Sequence, residues 1–542
     1  MFIKGCSKRI GLAVALLLLM VGSVRAQLTQ NLTISPKALS LGNAVTADPP
    51  GIMAIQYNPA GLTQLEGRQF EVNLLGAYLD VDADFIAPPG YNVFGIDGLG
   101  TDPMTGKQAD PVANTHSHTN TANIYIPGIG IQKLPAPIGV LPTGGFSIQN
   151  PGSKLTFANA FYVPMFANFS RKNTDPARYE PQNVAIQRVT YLSPTVAYKI
   201  NDHWSVGLGI HFSDQALAID QWMRAPNMLL GVAQVLQNAF DCKSGNEPLQ
   251  PWIALCGGNV GPWDDIGTMH LNLQQTISPS YDFGVMWTPT SWFSWGANYE
   301  SSSAMNLTGT YELDYTKDWS GFWQSVNSSV FGAIGAAILS LPSGVPREAG
   351  NVSVKLDYPQ HFQTGISVKV HPRLTVNFDV SWTDYSSWDY LHLKFDRNLE
   401  FLSAARILSP TLVTKNTLDF PLGFTDVWNY GIGFTFHASS RLDLRMGVER
   451  RDSVIPKDKR SVMAPFGGAD LWGVGMGYRW DKDTQIDMSL SYLESNEYIP
   501  ANTSCNVNCT SITNIIYNPY AGLDVKTRLR AVLAGLTFRT KF

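Results

Sequence analysis

Leu374-Thr375-Val376-Asn377-Phe378-Asp379-Val380-Ser381-Trp382 alternates without a break. The even positions are large and apolar, the odd ones small, polar or charged, so a strand here has one greasy and one wet face. Phe362 to Val370 repeats the pattern, with Gln363, Ser367 and Lys369 on the polar face, and so does Leu442 to Val448, with Asp443 and Arg445 there. Ile486 to Tyr492 also fits, as does Trp428 to Phe436 with small residues opposite.

A soluble sandwich alternates too, so the connections have to decide. About fourteen strands are expected, beginning near Arg68, Ala122, Lys154, Thr190, Trp204, Thr268, Trp292, Asn351, Leu374, Val427, Arg441, Leu471, Gln485 and Thr527. Short turns such as Asn201-Asp202-His203, Pro289-Thr290-Ser291, His371-Pro372-Arg373, Ala438-Ser439-Ser440 and Asp481-Lys482-Asp483 alternate with connections several times longer. Short turns on one side and long loops on the other are the pattern of an outer-membrane barrel. One connection, the Pro/Gly-rich Gln132 to Ser153, is too long for the side it falls on. The fold class expected is therefore all-β: a transmembrane antiparallel barrel that must close on itself, because hydrocarbon offers no partner to an open sheet edge. Trp204, Trp287, Trp295, Trp382, Trp428, Trp472, Trp480 and Tyr492 cluster near strand ends, where amphipathic rings settle at headgroup level. The chain stops on Phe542 after a last alternating segment, an ending similar to the signal read by the barrel assembly machinery.

The N-terminus agrees with export. Lys4, Lys8 and Arg9 precede an apolar run from Ile10 to Val24, followed by Val24-Arg25-Ala26, so residues 1–26 read as a signal peptide. Removing those basic residues with Arg25 takes the formal charge from −4 to about −8, which argues against nucleic acid. No stretch of the mature chain reaches the ~20 apolar residues of a membrane helix; the best runs from Val330 to Leu341. Cys242 with Cys256 and Cys505 with Cys509 form two local pairs, expected as loop disulfides in an exported protein. A zinc site there is the weaker reading, since no His adjoins Cys505 and Cys509. No metal and no cofactor is expected.

Residues 27–67 precede the first strand and are rich in Gly, Pro, Ala and Asn; they are expected to fold into the lumen of a barrel spanning 68–542. Within them Leu41-Gly42-Asn43-Ala44, Ala47-Asp48 and Tyr57-Asn58-Pro59-Ala60-Gly61-Leu62 resemble the N-terminal hatch of the FadL/TodX family, outer-membrane transporters of long-chain fatty acids and aromatic hydrocarbons. The resemblance continues in Asp357-Tyr358-Pro359-Gln360, in Val380-Ser381-Trp382-Thr383-Asp384-Tyr385-Ser386, and in Asp452-Ser453-Val454-Ile455-Pro456 followed by Arg460-Ser461. It implies a plug containing Gly42, Asp48, Asn58, Pro59 and Ala60, an external apolar groove, a tighter inner pocket, and a sideways exit into outer-membrane lipid beside a kinked third strand.

Two external loops supply groove material at helical spacing: Leu229, Leu230, Val235 and Leu236 in one, Phe331, Ile334 and Ile338 in the other, beside Phe322 and Val326. The plainer reading is that such helices only cover one another. Arg224, near where the family places a basic residue after its fifth strand, and the lumen-facing Arg445 and Lys369 are candidates for a carboxylate headgroup, although Asp379, Asp443, Glu449 and Asp487 could neutralise them instead. On the third strand Asn159 interrupts the apolar face and Pro164 removes a donor, marking the expected lateral opening.

The function expected is passive, plug-gated uptake of a long-chain fatty acid or similar hydrophobic molecule by a monomer. Aromatic hydrocarbon uptake is the alternative within the family. An outer-membrane phospholipase-type enzyme is the alternative outside it, but His116, His118, His203, His211, His270 and His361 are scattered with no nucleophile at catalytic spacing. His116-Ser117-His118 could bind a metal only with a third ligand that the sequence does not identify. A diffusion porin lacks an insert before its first strand.

Overall fold

The computed structural model describes residues 31–91, 110–245, 247–464, 467–510 and 517–542. The expected signal peptide, residues 1–26, and residues 27–30 of the expected plug lie outside the described residues.

Fourteen antiparallel strands form the wall. They are β1 (Gly67–Ile86), β2 (Ile138–Gln149), β3 (Leu155–Ser170), β4 (Asn183–Leu192 continued by Thr195–Lys199), β5 (Trp204–Met223), β6 (Gly267–Thr290) and β7 (Phe293–Glu300 continued by Ser303–Tyr315). The other half is β8 (Arg347–Tyr358 and His361–His371), β9 (Leu374–Thr383 and Tyr390–Phe395), β10 (Thr417–Pro421 and Val427–His437), β11 (Leu442–Arg451), β12 (Ala469–Arg479), β13 (Thr484–Ile499) and β14 (Asp524–Lys541). Each pairs with its neighbours in sequence, and β14 returns to β1 in register from Gln69↔Lys541 to Ile86↔Asp524. The ring is closed, as a lipid solvent requires.

Burial is inverted relative to a soluble protein. On β1 Phe70 and Leu74 are 45% and 46% exposed, while Glu71 and Asn73 between them are buried. On β12 Trp472 and Val474 are exposed, and on β9 Asn377 and Asp379 are buried. An apolar exterior around a polar interior is stable only where the surroundings are hydrocarbon. No helix among the described residues is long and apolar enough to cross a membrane; the crossing is made by strands.

The second strand is a correction. It was expected near Ala122, but it is Ile138–Gln149, inside the stretch read as an overlong link. The turn to β3 is then Asn150-Pro151-Gly152-Ser153, and short turns alternate with long loops throughout. Pro142, Gly144 and Gly145 hid this strand because they break both propensity and alternation. Pro142 falls in the part of β2 that has no partner on β3, a local edge where a missing donor is tolerated. The glycines are required by closeness: a Cβ at Gly144 would lie 2.6 Å from the Glu71 carbonyl oxygen. The segment after Ala122 forms instead a small hairpin, Asn123–Ile126 with Gly130–Lys133.

Helices are short. In the N-terminal segment α1 (Pro36–Ser40) is capped by Ser35, and α2 (Ala54–Tyr57) leads into a 3-10 turn, Pro59–Gln64. In the long loops lie α3 (Met228–Ala239), α4 (Lys317–Ser328), α5 (Val330–Leu339) and α6 (Glu400–Leu408). Asn227, Thr316 and Ser329 accept N–H groups of the first turns of α3, α4 and α5, which is why these helices begin where they do.

Candidate functional site

Residues 31–66 pack against inward-facing side chains on opposite sides of the ring. Four wall carboxylates hold this segment: Asp379 and Glu71 take up backbone N–H groups that irregular backbone would otherwise leave unpaired, and Glu300 and Glu449 accept from side-chain amides. Asp379 on β9 accepts from the Val45 and Thr46 amides at 2.8 and 2.7 Å and from the Thr46 hydroxyl at 2.6 Å. Glu71 on β1 accepts from the Ile52 amide at 2.9 Å, Glu300 on β7 from Gln56 at 3.0 Å, and Glu449 on β11 from Asn43 at 2.7 Å. Of the expected plug residues, Asn58 donates to the Thr46 carbonyl and to Val285 on β6, and it accepts the Ala60 amide. Pro59 opens the 3-10 turn. Gly42 has φ +60° with the Val448 backbone 2.5 Å from where a Cβ would stand, and Asp48 pairs with Lys37 at 2.8 Å.

The wall answers the segment with glycine. A Cβ at Gly207 or Gly284 would strike Pro59, at Gly296 the Thr46 carbonyl, at Gly431, Gly433 and Gly447 the Leu41–Gly42 backbone, at Gly473 Leu39, and at Gly535 the Pro36 ring. Sequence reasoning missed this. The signal was present as glycine at alternate, inward positions, in Gly431-Ile432-Gly433 and Gly473-Val474-Gly475.

Between β2 and β3 the wall is locally unpaired along a seam. β2 pairs with β3 only from Gly144↔Phe161 to Ile148↔Phe157. Beyond it β3 carries a bulge between Tyr162 and Met165, at Val163–Pro164. The extra residue reverses the faces: Ala158, Ala160 and Tyr162 pack on the N-terminal segment, whereas Met165 and Phe169 join the apolar cluster above. Leu141, Val163 and Phe166 cluster at the seam. The N-terminal segment lies across it, with the Asn31 amide donating to the Pro164 carbonyl at 3.1 Å and the Thr33 hydroxyl to the Val163 carbonyl. Pro164 therefore sits at the seam, but Asn159 does not: it pairs with Phe146 in the closed part and accepts the Ser193 amide at 2.8 Å. The short strand Thr115–Thr119 pairs with the top of β1, and Thr121 bridges to Ser170 on β3, so the wall is joined again above the seam.

Toward the long loops the interior turns apolar. A cavity of about 100 Å³ is lined by Ile219 and Met223 of β5, Leu271 of β6, Leu313 of β7, Leu393 and Phe395 of β9, with Phe401, Leu402 and Met463. Glu180 is the one charged residue among its described lining residues, and no Lys or Arg lines it. The Val462 amide donates to Glu180 Oε2 at 2.8 Å, while Oε1 is buried without a partner. Burial pushes this carboxyl up to about 8, against the pull of the Val462 amide, Arg171 and the Met463 amide. A second cavity of about 150 Å³ lies between α3, α4 and α6, lined by Leu229, Leu230, Ala233, Trp319, Phe322, Trp323 and Ala404. The two cavities share Phe401 and Tyr517.

The residues expected to form the groove are only partly brought together at the outer cavity. Leu229 and Leu230 line the outer cavity, but Val235 and Leu236 do not, because α3 is apolar on several sides and turns only one toward α4. Phe331, Ile334 and Ile338 line neither cavity. The first turn of α5 is hydrogen-bonded to Pro251 and Trp252, which leaves Phe331, Ile334 and Ile338 exposed. The structure places the headgroup candidates as follows. Arg224 is buried on Asp110 at 2.7 Å, with Tyr179, Tyr520 and Trp263 around its guanidinium. Arg445 pairs with Asp487, and with Lys369 it lines a polar cavity of about 500 Å³ at the short-turn end, together with Asp48 and Arg539. None of the three lines an apolar cavity. Cys242–Cys256 and Cys505–Cys509 are paired, with Cα atoms 5.0 and 4.6 Å apart.

Set beside known proteins, this architecture has a match over nearly all of its length. The profile of the family described as outer membrane protein transport protein (OMPP1/FadL/TodX) matches residues 20–542. The chain belongs to that family. It is 22% identical over 422 residues to the long-chain fatty acid transport protein of Escherichia coli O6:H1, covering 78% of this chain and 76% of that one. With the protein of the same description from Escherichia coli K12 it shares 23% identity over about half of each chain. Among solved structures it is similar to a Pseudomonas aeruginosa FadL homologue, with TM-score 0.64 at 18% identity over 95% of this chain and 99% of that one. The Pseudomonas putida toluene transporter TodX gives TM-score 0.55 at 14% identity over 93% and 97%. The family member described here is an outer-membrane β-barrel of fourteen strands that transports hydrophobic compounds.

Proposed function

We propose that this protein takes up small uncharged hydrophobic molecules, of which monoaromatic hydrocarbons are the type. They are captured by the external loops, held in the two adjoining apolar cavities, and released sideways at the β2–β3 seam, while residues 31–66 block the axial route as a plug. The observation that carries this reading is the cavity pair: two neighbouring apolar spaces that share Phe401 and Tyr517 in their linings and are lined by no basic residue. A cavity of about 150 Å³ lined by Leu, Ile and Phe holds benzene, so the dimensions suit a single ring. A carboxylate brought into the inner cavity would meet the Glu180 carboxyl, and no basic side chain lines that space. An apolar molecule gains about 0.8 kcal/mol for each CH₂ buried, so a continuous apolar path, rather than a watery pore, favours its passage. The exposed Trp252 and Phe331, whose ring centroids are 5.9 Å apart, with Ile334 and Ile338, offer a first contact surface in water.

A second reading is favoured by the names of the curated relatives, long-chain fatty acid transport proteins. In it an acyl tail occupies the cavities and the headgroup stays among the loops. Equilibrium binding of labelled toluene and labelled oleate to purified protein at pH 9 separates the two. Saturable toluene binding lost in Leu393→Asp, with weak oleate binding, is expected. Tight oleate binding with no saturable toluene binding would establish the fatty acid reading instead.

A further inference from the structure

The outer face of β1 changes character along its length. Phe70, Leu74 and Tyr78 face lipid, and the same face continues into Asp80, Asp82 and Asp84. The neighbouring strand Thr115–Thr119 sets His118 opposite Asp82 and His116 opposite Asp84. Alternate residues share a face, so two imidazoles and three carboxylates meet at the top of the wall.

Their atoms converge. His118 Nδ1 lies 2.8 Å from Asp82 Oδ1 and 3.2 Å from Asp80 Oδ1, and His116 Nε2 lies 3.7 Å from Asp82 Oδ1. Ligand atoms of Asp80, Asp82 and His118 all fall within 4.8 Å of one another. Donors bound to one ion at ~2.0–2.2 Å lie at most about 4.4 Å apart, and the distances of His118 Nδ1 from the two Oδ1 atoms, 2.8 and 3.2 Å, fall within that limit. Arg530 holds the opposite oxygens, Asp80 Oδ2 at 2.7 Å and Asp82 Oδ2 at 3.1 Å. It thereby turns both Oδ1 atoms toward the imidazoles, as outer partners orient the carboxylates of metal sites. Asp80 Oδ1 is shielded from solvent and makes no hydrogen bond. His116-Ser117-His118, which lacks a third ligand in the sequence, finds carboxylates on the adjacent strand.

We propose that Asp80, Asp82, His116 and His118 form a binding site for a divalent transition-metal ion of the zinc class. Mixed imidazole and carboxylate donors suit zinc, copper or nickel and not magnesium or calcium, which take oxygen alone. The ion would tie β1 to Thr115–Thr119, the strand that leads through Thr121 to β3 and rejoins the wall above the seam, so that metal bears on how firmly the upper rim of the seam is fixed.

The test is calorimetric titration of untagged, chelator-stripped protein in mild detergent with zinc chloride, and separately with magnesium chloride. One zinc ion per chain is expected, with no saturable magnesium binding. His118→Ala and, independently, Asp82→Asn should each weaken zinc binding about tenfold or more, and His116→Ala with His118→Ala should abolish it, all with unchanged heat-modifiable mobility on gels. The absence of saturable zinc binding in the unmodified protein overturns the proposal. Binding retained in the double variant does so too, since His270 beside Asp220 and His392 beside Asp419 would then be holding the ion.

Discussion

The half of the lumen toward the short turns and the half toward the long loops are built from the same strands and have opposite chemistry. On β9 the inward residues are Asn377 and Asp379 below and Leu393 and Phe395 above; on β7 they are Asn298 and Glu300 below and Tyr311 and Leu313 above. Below, polar side chains and glycines meet an irregular segment whose amides need acceptors, and the space left at the short-turn end is a polar cavity of about 500 Å³. Above, apolar side chains enclose cavities that no residue fills. A wall strand that switches its inward chemistry part-way along can block ions at one level and desolvate a ligand at another, with one hydrogen-bonded ring serving both.

Removing the lower partner is the largest perturbation of this contrast. A chain lacking residues 27–66 is expected to assemble, because ring closure rests on strand pairing, and to pass a steady ion current in planar bilayers where the intact protein passes none. Gly447→Val should come next: its side chain has no room beside Leu41, and overpacking of this kind costs about 1–3 kcal/mol. Raised ion leakage is the measurement, with Gly76→Ala as a control, since a Cβ there meets its nearest neighbour at 3.7 Å and should change nothing.

In the upper half the contrast is sharpened by comparing two double variants. Leu230→Asp with Phe322→Asp places charges in the outer cavity and should weaken binding of a neutral hydrophobic probe by a few kcal/mol. Leu236→Asp with Ile334→Asp alters residues outside both cavities and should slow uptake only at limiting supply. Equal effects of the two pairs would dissolve the distinction between cavity and exposed surface.

The smallest effect concerns Glu180. Its carboxyl is held above the usual carboxylate range by burial, up to about 8, so the folded protein favours the neutral acid. That contribution to stability is complete below the unfolded value and is lost as pH rises through about 8. Glu180→Gln should therefore flatten the fall in thermal stability between pH 6 and 9, by a few kcal/mol at most. An unchanged slope would mean that the carboxyl is already ionised in its cavity.

Most of the wall was legible in the sequence because a two-residue period reports directly on a sheet with unlike faces. Leu374 to Trp382 reads as strand, with Asp379 on the wet face, and Asp379 is indeed an inward anchor. Legibility failed where a tertiary demand overrode the pattern. β2 contains Pro142, Gly144 and Gly145 because it borders a seam and approaches β1 closely, and no local rule distinguishes that from a loop. The cavities were half legible for a related reason: α3 and α5 are apolar on more than one side, so helical spacing marks them as capable of burial without saying which face is used. The partners of Arg224, Arg445 and His118 lie on other strands and loops, at distances along the chain that spacing cannot report.

The central claim is that hydrophobic ligands leave the upper chamber through the seam between β2 and β3. Leu141→Cys with Val163→Cys places two thiols in the apolar cluster at that seam, where a short bifunctional thiol reagent with a reducible spacer can lock it in assembled barrels. The account predicts that locking stops uptake of labelled toluene by whole cells, that reduction restores it, and that each single variant treated alike is unaffected. Uptake at the full rate through a seam shown by mass spectrometry to be cross-linked would contradict it.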